Sequence, residues 1–342
     1  MTVVSPPVSE PVQGQRFFLV GGAGFLGSHF CDRLLGPSGG AAAVTLFDNF
    51  TSGREWHYAH HAGDARLRVV RGNVEDTAAL AAAMDGHDVV IHLASNPDIA
   101  RAAAEPSIDF WQGTALTQSV LEAMRTTSAK RILYASGSGV YGDLGTHEAA
   151  EDYGPKTPAS TYGASKLAGE ALIASYAAMF GLSGCAFRFG NVVGPRQTHG
   201  VGFDFARALL RAIDAGEQAI SLRVLGDGSQ SKSYIHVDDI MTAVFTANAR
   251  TAAPFAVYNV ATGDYITVRE IAELAVACVG LAPGSVRFAY TGGDRGWKGD
   301  VPIVRLDTHR IRALGWTCQR PSREALRAAI EAMIPDLKAG RM

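Results

Sequence analysis

A chain of 342 residues with 31 Lys plus Arg against 33 Asp plus Glu carries a formal charge of −2, so nothing in its balance argues for nucleic acid or an anionic membrane as a main partner, and any anion site must be local. The length is past the point where single cores stop growing, which predicts one large domain with a smaller lobe, about three-quarters of the unfolded surface being buried without help from disulfides or metals. The four cysteines, Cys31, Cys185, Cys278 and Cys318, include no Cys-x-x-Cys pair, so neither a disulfide framework nor a metal is expected, and a reducing compartment, the cytoplasm, is the default.

Residues 1–15 carry three prolines and no basic stretch leading into an apolar core, which predicts a mobile tail rather than a signal peptide. No apolar run reaches the roughly eighteen residues of a membrane span. The run Phe17 to Val20 predicts a buried parallel strand, and it breaks into Gly21, Gly24 and Gly27 before a helical segment, Ser28 to Leu35. Glycines in such a turn let the backbone approach a pyrophosphate, whose charge the free N–H groups and positive dipole end of the helix then meet. The second strand, Ala43 to Phe47, ends in Asp48, 21 residues after Gly27, near where such a fold sets a carboxylate on the adenosine ribose. A carboxylate there repels a 2′-phosphate and favours NAD over NADP; the alternative is that Asp48 only starts the Asp-Asn-Phe-Thr-Ser-Gly turn.

Leu67 to Arg71 and Asp88 to Leu93 are the next strands. The loops after them, Gly72-Asn73-Val74 and Ala94-Ser95-Asn96, start where adenine and ribose would lie. His92 is expected to be a hydrogen-bonded core histidine. Helices are predicted over Thr77 to Met84, Ser107 to Arg125 and Ser160 to Phe180, a fifth strand over Arg131 to Ala135, and a sixth from Cys185 that stops at Gly194-Pro195. Strands alternating with helices predict an α/β fold, a doubly wound parallel sheet (Rossmann) over 16–195. Beyond it turns rich in Gly and Asp predict a smaller C-terminal substrate-binding lobe over 196–342, with 234–249 returning to the main domain.

Tyr162 and Lys166, four apart on a predicted helix, project from one face. An ammonium and an oxidised nicotinamide both favour the phenolate, bringing it into range for taking a proton from a sugar hydroxyl. Lys166 is placed to hydrogen-bond the nicotinamide ribose as well.

Taken together, Gly21-Gly-Ala-Gly24-Phe25-Leu26-Gly27, Asp48-Asn49, His92-Leu93-Ala94, Val140-Tyr-Gly, Tyr162-Gly-Ala-Ser-Lys166, Arg188-Phe-Gly-Asn191-Val-Val-Gly-Pro195 and Tyr234-Ile-His-Val-Asp-Asp239 resemble the extended short-chain dehydrogenase/reductases, and within them the nucleotide-sugar epimerases and dehydratases. The resemblance implies NAD held by Gly21, Gly24, Phe25, Leu26, Gly27, Asp48, Asn49, Asn73, Val74, Leu93, Ala94, Ser95, Tyr162 and Lys166. It also implies a nucleotide-diphosphate sugar in the C-terminal lobe, proton removal by Tyr162 from the 4-hydroxyl, and a homodimer formed through the helices near 107–125 and 160–180. Asn191 is implied at the substrate phosphates or sugar, Lys232 at a phosphate, and Arg295 and Asp300 at the diphosphate and nucleoside. Three positions depart from the pattern. Gly137 stands where the family has a Ser or Thr bonded to the reacting hydroxyl, which leaves Ser138, Ser136 or water to replace it. Lys232 replaces an Arg, and Asn73 replaces an Asp near the adenine. An epimerase is expected; the alternatives are a 4,6-dehydratase, whose Asp-Glu pair would stand where Ser138-Gly139 does, and a non-enzymatic NAD-binding regulator.

Overall fold

The structure, a computed structural model, describes residues 12–37 and 39–341. Phe17 to Val20 is apolar at every position because its strand, β1 (Arg16–Val20), is covered on both faces. Alternate side chains point to opposite sides of a sheet. Phe17 and Leu19 pack with Phe30, Leu34, Val244 and Phe245 on one side. Phe18 and Val20 pack with Leu80, Met84, Val120 and Leu121 on the other. Around β1 run β2 (Ala43–Asp48) and β3 (Leu67–Arg71) in one direction, and β4 (Val89–His92), β5 (Arg131–Gly137), strand Ser183–Phe189 and strand Phe255–Val260 in the other. All six pairings are parallel. The order reverses at β1, and ligands of open α/β sheets bind in the crevice outside the carboxyl ends at such a reversal. The register pairs Val20 with Phe47 and with His92, so Gly21, Asp48 and Leu93 leave the sheet at one level.

One face is covered by α1 (Phe25–Leu35) and α6 (Val237–Arg250), the other by α2 (Thr77–Met84), α3 (Leu116–Thr126) and α4 (Thr161–Phe180). A separate core joins α5 (Val201–Asp214), α7 (Val268–Cys278) and α8 (Ser322–Lys338) through Phe203, Leu209, Ile271, Leu274, Leu326 and Ile330.

Several elements differ in detail from the sequence expectation. Of the expected tail, residues 1–11 lie outside the described residues, but Val12 is buried in the main core and Gly14 donates to the Gly40 carbonyl. The helix expected from Ser107 opens with a π-helical turn, Phe110–Ala115, before α3. There Gly113 passes so close to α4 that a Cβ would lie 2.5 Å from the Ser165 hydroxyl. The single strand expected from Cys185 to Gly194 is two. The chain leaves the main sheet after Phe189, and Asn191–Val193 pairs instead with Tyr234–His236. Strand Phe255–Val260, which the sequence did not announce, returns to the edge of the main sheet.

His92 is fully buried, its Nε2 3.1 Å from the Thr117 hydroxyl. Burial, with a smaller push from the Lys166 ammonium, lowers its pKa to about 3. The unfolded chain, with a value near 6.5, then binds more protons below neutrality, so this contribution to stability is complete above about pH 6.5 and is lost as pH falls toward 3. Urea unfolding should show about 3 kcal/mol lost between pH 7 and 4 from this residue, and His92→Gln should flatten the profile by that amount.

Candidate active site

At the carboxyl edge of β1 the chain turns at Gly21, which has φ +78° and lies so near the next strand that a Cβ would stand 2.8 Å from the Ala94 nitrogen. Gly27 lets α1 close on the turn, since a Cβ there would meet the Gly22 carbonyl oxygen at 2.4 Å. The N-cap of α1 is Gly24, with no side-chain cap and no acidic residue in the first turn, so its N–H groups remain available to a phosphate. Asp48 is buried at the end of β2, and it accepts the Ala23 N–H at 2.9 Å and the Phe50 N–H at 2.7 Å. Burial raises its pKa, and these N–H groups oppose the rise. Each oxygen keeps a lone pair for a ribose hydroxyl. These features fit a dinucleotide: space for the pyrophosphate backbone, a free helix end, and a carboxylate one strand away.

The neighbouring loops are arranged less uniformly. Val74 is buried, whereas Asn73 turns its amide to Glu75 at 3.2 Å and Asn49 accepts from Thr51. Leu93 and Ala94 both donate to the Val20 carbonyl, which draws this loop against the glycine turn. Phe25 and Leu26, the first residues of α1, pack partly buried against the main core. Ser95 lies beside the Tyr162 phenol, where its hydroxyl favours the ionised form.

α4 is capped by Ser160, whose hydroxyl accepts the Gly163 N–H, and presents Tyr162 and Lys166 on one face. The Lys166 ammonium is 5.4 Å from the Tyr162 ring centre and donates to the Ala135 carbonyl at 2.8 Å. Burial lowers Lys166 to about 8, a fall that Asp109 and Glu170 resist. Tyr162 is pushed up to about 12 by burial, with Asp109 adding to the rise and the Ser95 hydroxyl opposing it. In the protein alone burial favours the protonated phenol; the expected phenolate calls on an oxidised nicotinamide as well as on Lys166. Desolvation outweighs an ammonium whose hydrogen bond goes to a carbonyl.

Beyond β5, Gly137 is extended, and a Cβ there would find nothing within 4 Å. Ser136 points inward and donates to Glu170 at 2.6 Å, while Ser138 is half-buried at the start of a short turn, Ser138–Val140. The strand has already ended at Ser138, so strand alternation does not relate its direction to that of Ser136. In the C-terminal part Lys232 meets Asp300 at 2.6 Å, and Arg295 bridges to Asp143 at 2.6 Å and to the Asp300 carbonyl. Asn191 donates to the Ser233 carbonyl at 3.2 Å, one residue along from Lys232. The three implied substrate residues Lys232, Arg295 and Asp300 form one cluster with Asp143, a residue the sequence did not single out.

Two other buried carboxylates also went unread. Asp109 accepts from Asn96 at 2.8 Å and from Thr161 at 2.6 Å, tying the π turn to the start of α4. Glu170 is paired with Arg188 at 2.6 Å, and Arg188 in turn donates to the Tyr141 hydroxyl at 2.7 Å. A signal existed for Glu170, since Tyr162, Lys166 and Glu170 stand at i, i+4 and i+8 on one helix face.

A doubly wound sheet with a phosphate cradle at its reversal and a Tyr-Lys pair on the facing helix is the arrangement of a short-chain dehydrogenase/reductase of the extended kind. A sequence profile described as the NAD dependent epimerase/dehydratase family matches residues 17–261, and the chain belongs to that family, with NAD as its cofactor. Among the curated relatives, a UDP-glucose 4-epimerase of Mycolicibacterium smegmatis is 31% identical, the match covering 92% of this chain and 97% of that one. A crystal structure of a UDP-galactose 4-epimerase has a TM-score of 0.80 at 32% identity, over 94% of this chain and 99% of the other. A dTDP-glucose 4,6-dehydratase from Streptomyces venezuelae, solved with NAD, has a TM-score of 0.85 at 27% identity, over 95% and 98%. Among the described residues, no helix is long and apolar enough to cross a membrane.

Proposed function

We propose that this protein is a nucleotide-sugar 4-epimerase. The observation that carries the reading is the loop facing Tyr162. Gly137, Ser138 and Gly139 offer no ionisable side chain where a dehydratase would need an acid and a base. The nearby buried carboxylates are already engaged, Asp109 by Asn96 and Thr161, Glu170 by Arg188 and Ser136. Oxidation at C4 followed by reduction from the other side is then the chemistry this site supports without further groups.

Gly21 to Gly27 and Asp48 would hold NAD, which would supply the acceptor and later the donor of hydride. Tyr162 takes the proton of the 4-hydroxyl and returns it after the 4-keto sugar has turned over. Lys166 stabilises the phenolate and orients the cofactor ribose. Ser138, whose hydroxyl is not drawn into the Glu170 pair, bonds the reacting oxygen in place of Gly137. Residues 16–195, with 234–249 and the edge strand Phe255–Val260, form the cofactor half; Asn191 at its margin and Lys232, Arg295 and Asp300 beyond 196 hold the nucleoside diphosphate. Exposed Phe110 and Trp111 before α3 and Met179 and Phe180 at the end of α4 support a homodimer through this helix pair. Four free thiols support a cytoplasmic setting.

Incubation with UDP-, GDP- and CDP-hexoses and uronic acids, followed by NMR, should show inversion at C4 with one of them. A 4-keto-6-deoxy product would make the protein a dehydratase, and tight NAD binding with no conversion would support the regulator. Replacing the serines separately should divide their roles. Ser138→Ala should lower kcat with stability unchanged, whereas Ser136→Ala should cost about 1–3 kcal/mol of stability by removing a donor from Glu170. Full activity in Ser138→Ala would pass the role to water.

A further inference from the structure

In the C-terminal half of α1, Asp32 receives two histidines on one oxygen. His60 Nε2 lies 2.6 Å and His61 Nε2 2.8 Å from Asp32 Oδ1. The two belong to a single 3₁₀ turn, Ala59–His61, on which consecutive residues normally diverge by about 120°. Here their rings instead lie 4.2 Å apart and converge on the same atom. The other Asp32 oxygen is bonded by Arg196, a residue at φ +64° that also lies 3.0 Å from His29. A carboxylate held in place at one oxygen and facing two imidazoles with the other has the form of a metal-ligand set supported from behind. The ligand atoms all lie within 4.8 Å of one another, close enough for small side-chain movements to bring all three to one ion. No sequence spacing announces the site, because Asp32 is 28 residues from His60 and only the fold joins them.

We propose that Asp32, His60 and His61 bind a divalent transition ion, with Zn²⁺ the best match. Imidazole suits Zn²⁺, Ni²⁺ and Cu²⁺, while Mg²⁺ and Ca²⁺ prefer oxygen ligands throughout. Tetrahedral Zn²⁺ with bonds of about 2.0–2.1 Å needs its ligand atoms about 3.4 Å apart. The imidazoles, now 2.6 and 2.8 Å from Asp32 Oδ1, must therefore back away by about 0.6–0.8 Å, and the half-exposed His60 side chain has room to rotate. Water completes the coordination from the open side. The ion would fasten the segment after β2 to α1. Earlier in that segment His57 Nδ1 lies 2.8 Å from the Ala23 carbonyl and Arg54 donates to it at 3.0 Å, so the fastened segment is the one that roofs the glycine turn.

The test uses the full chain free of any affinity tag and stripped with chelator. Calorimetric titration with ZnCl₂ should show one equivalent bound, and Zn²⁺ should raise Tm, as any ligand of the folded state does. His60→Ala and His61→Ala should each weaken binding about tenfold or more, and MgCl₂ should not compete. Cu²⁺ added to the unmodified protein should give an electron paramagnetic resonance spectrum with two imidazole nitrogens, a readout that needs no variant to fold. Unchanged Zn²⁺ affinity in either histidine variant, equal competition by Mg²⁺, or a Cu²⁺ spectrum without paired nitrogens would overturn the site.

Discussion

Tyr162→Phe should lower turnover by about 10²–10⁴-fold, the usual worth of a positioned proton-transfer group, while leaving NAD binding and Tm near those of the unmodified protein. The ring packs as before, and the loss is confined to one hydroxyl, which lies beside Ser95. The high phenol pKa sharpens the expectation. A group held near 12 is a poor base in the protein alone, so the phenolate has to be drawn out by positive charge arriving beside it. A steady-state assay of sugar inversion together with fluorescence titration of NAD separates the two effects. Retained turnover would remove Tyr162 from the mechanism.

The second large effect lies behind the site. Arg188→Met should destabilise the protein by about 3–5 kcal/mol, because it leaves a buried charge uncompensated. Glu170 would keep only Ser136, and the Tyr141 hydroxyl and Glu151 carbonyl would lose their guanidinium donor. Adding Glu170→Gln should recover part of the loss by removing the stranded carboxylate. Urea unfolding measures both, and a loss below about 1 kcal/mol for Arg188→Met would mean that water reaches the pair.

What could be read from the chain was whatever depends on neighbours in sequence. The strand, glycine turn and helix at Phe17 to Leu35 follow from an apolar run, three glycines and a helical pattern within twenty residues. Tyr162 and Lys166 follow from helical spacing. Interactions between distant segments were not legible. Nothing near Ser136 shows that its hydroxyl is taken by Glu170 across 34 positions, nor that Asp143 meets Arg295 across 152. The π turn was hidden for the same reason, since it answers the close approach of Gly113 to α4, and helical periodicity is blind to what packs opposite. The edge strand Phe255–Val260 was missed because the sheet is completed there by a segment that follows a long excursion.

The carboxylates that occupy Lys232 and Arg295 bear on how fast a substrate arrives. A cleft of bare cations would pull in a diphosphate from a distance, and its association rate would drop steeply with ionic strength. Here each cation already has a carboxylate partner, Asp300 on Lys232 and Asp143 on Arg295, so the far field of these two cations is largely cancelled. Under the proposed function the diphosphate enters by exchanging places with these carboxylates at contact range. Its capture is then governed by local ion exchange rather than by long-range steering, and the encounter rate varies little with added salt.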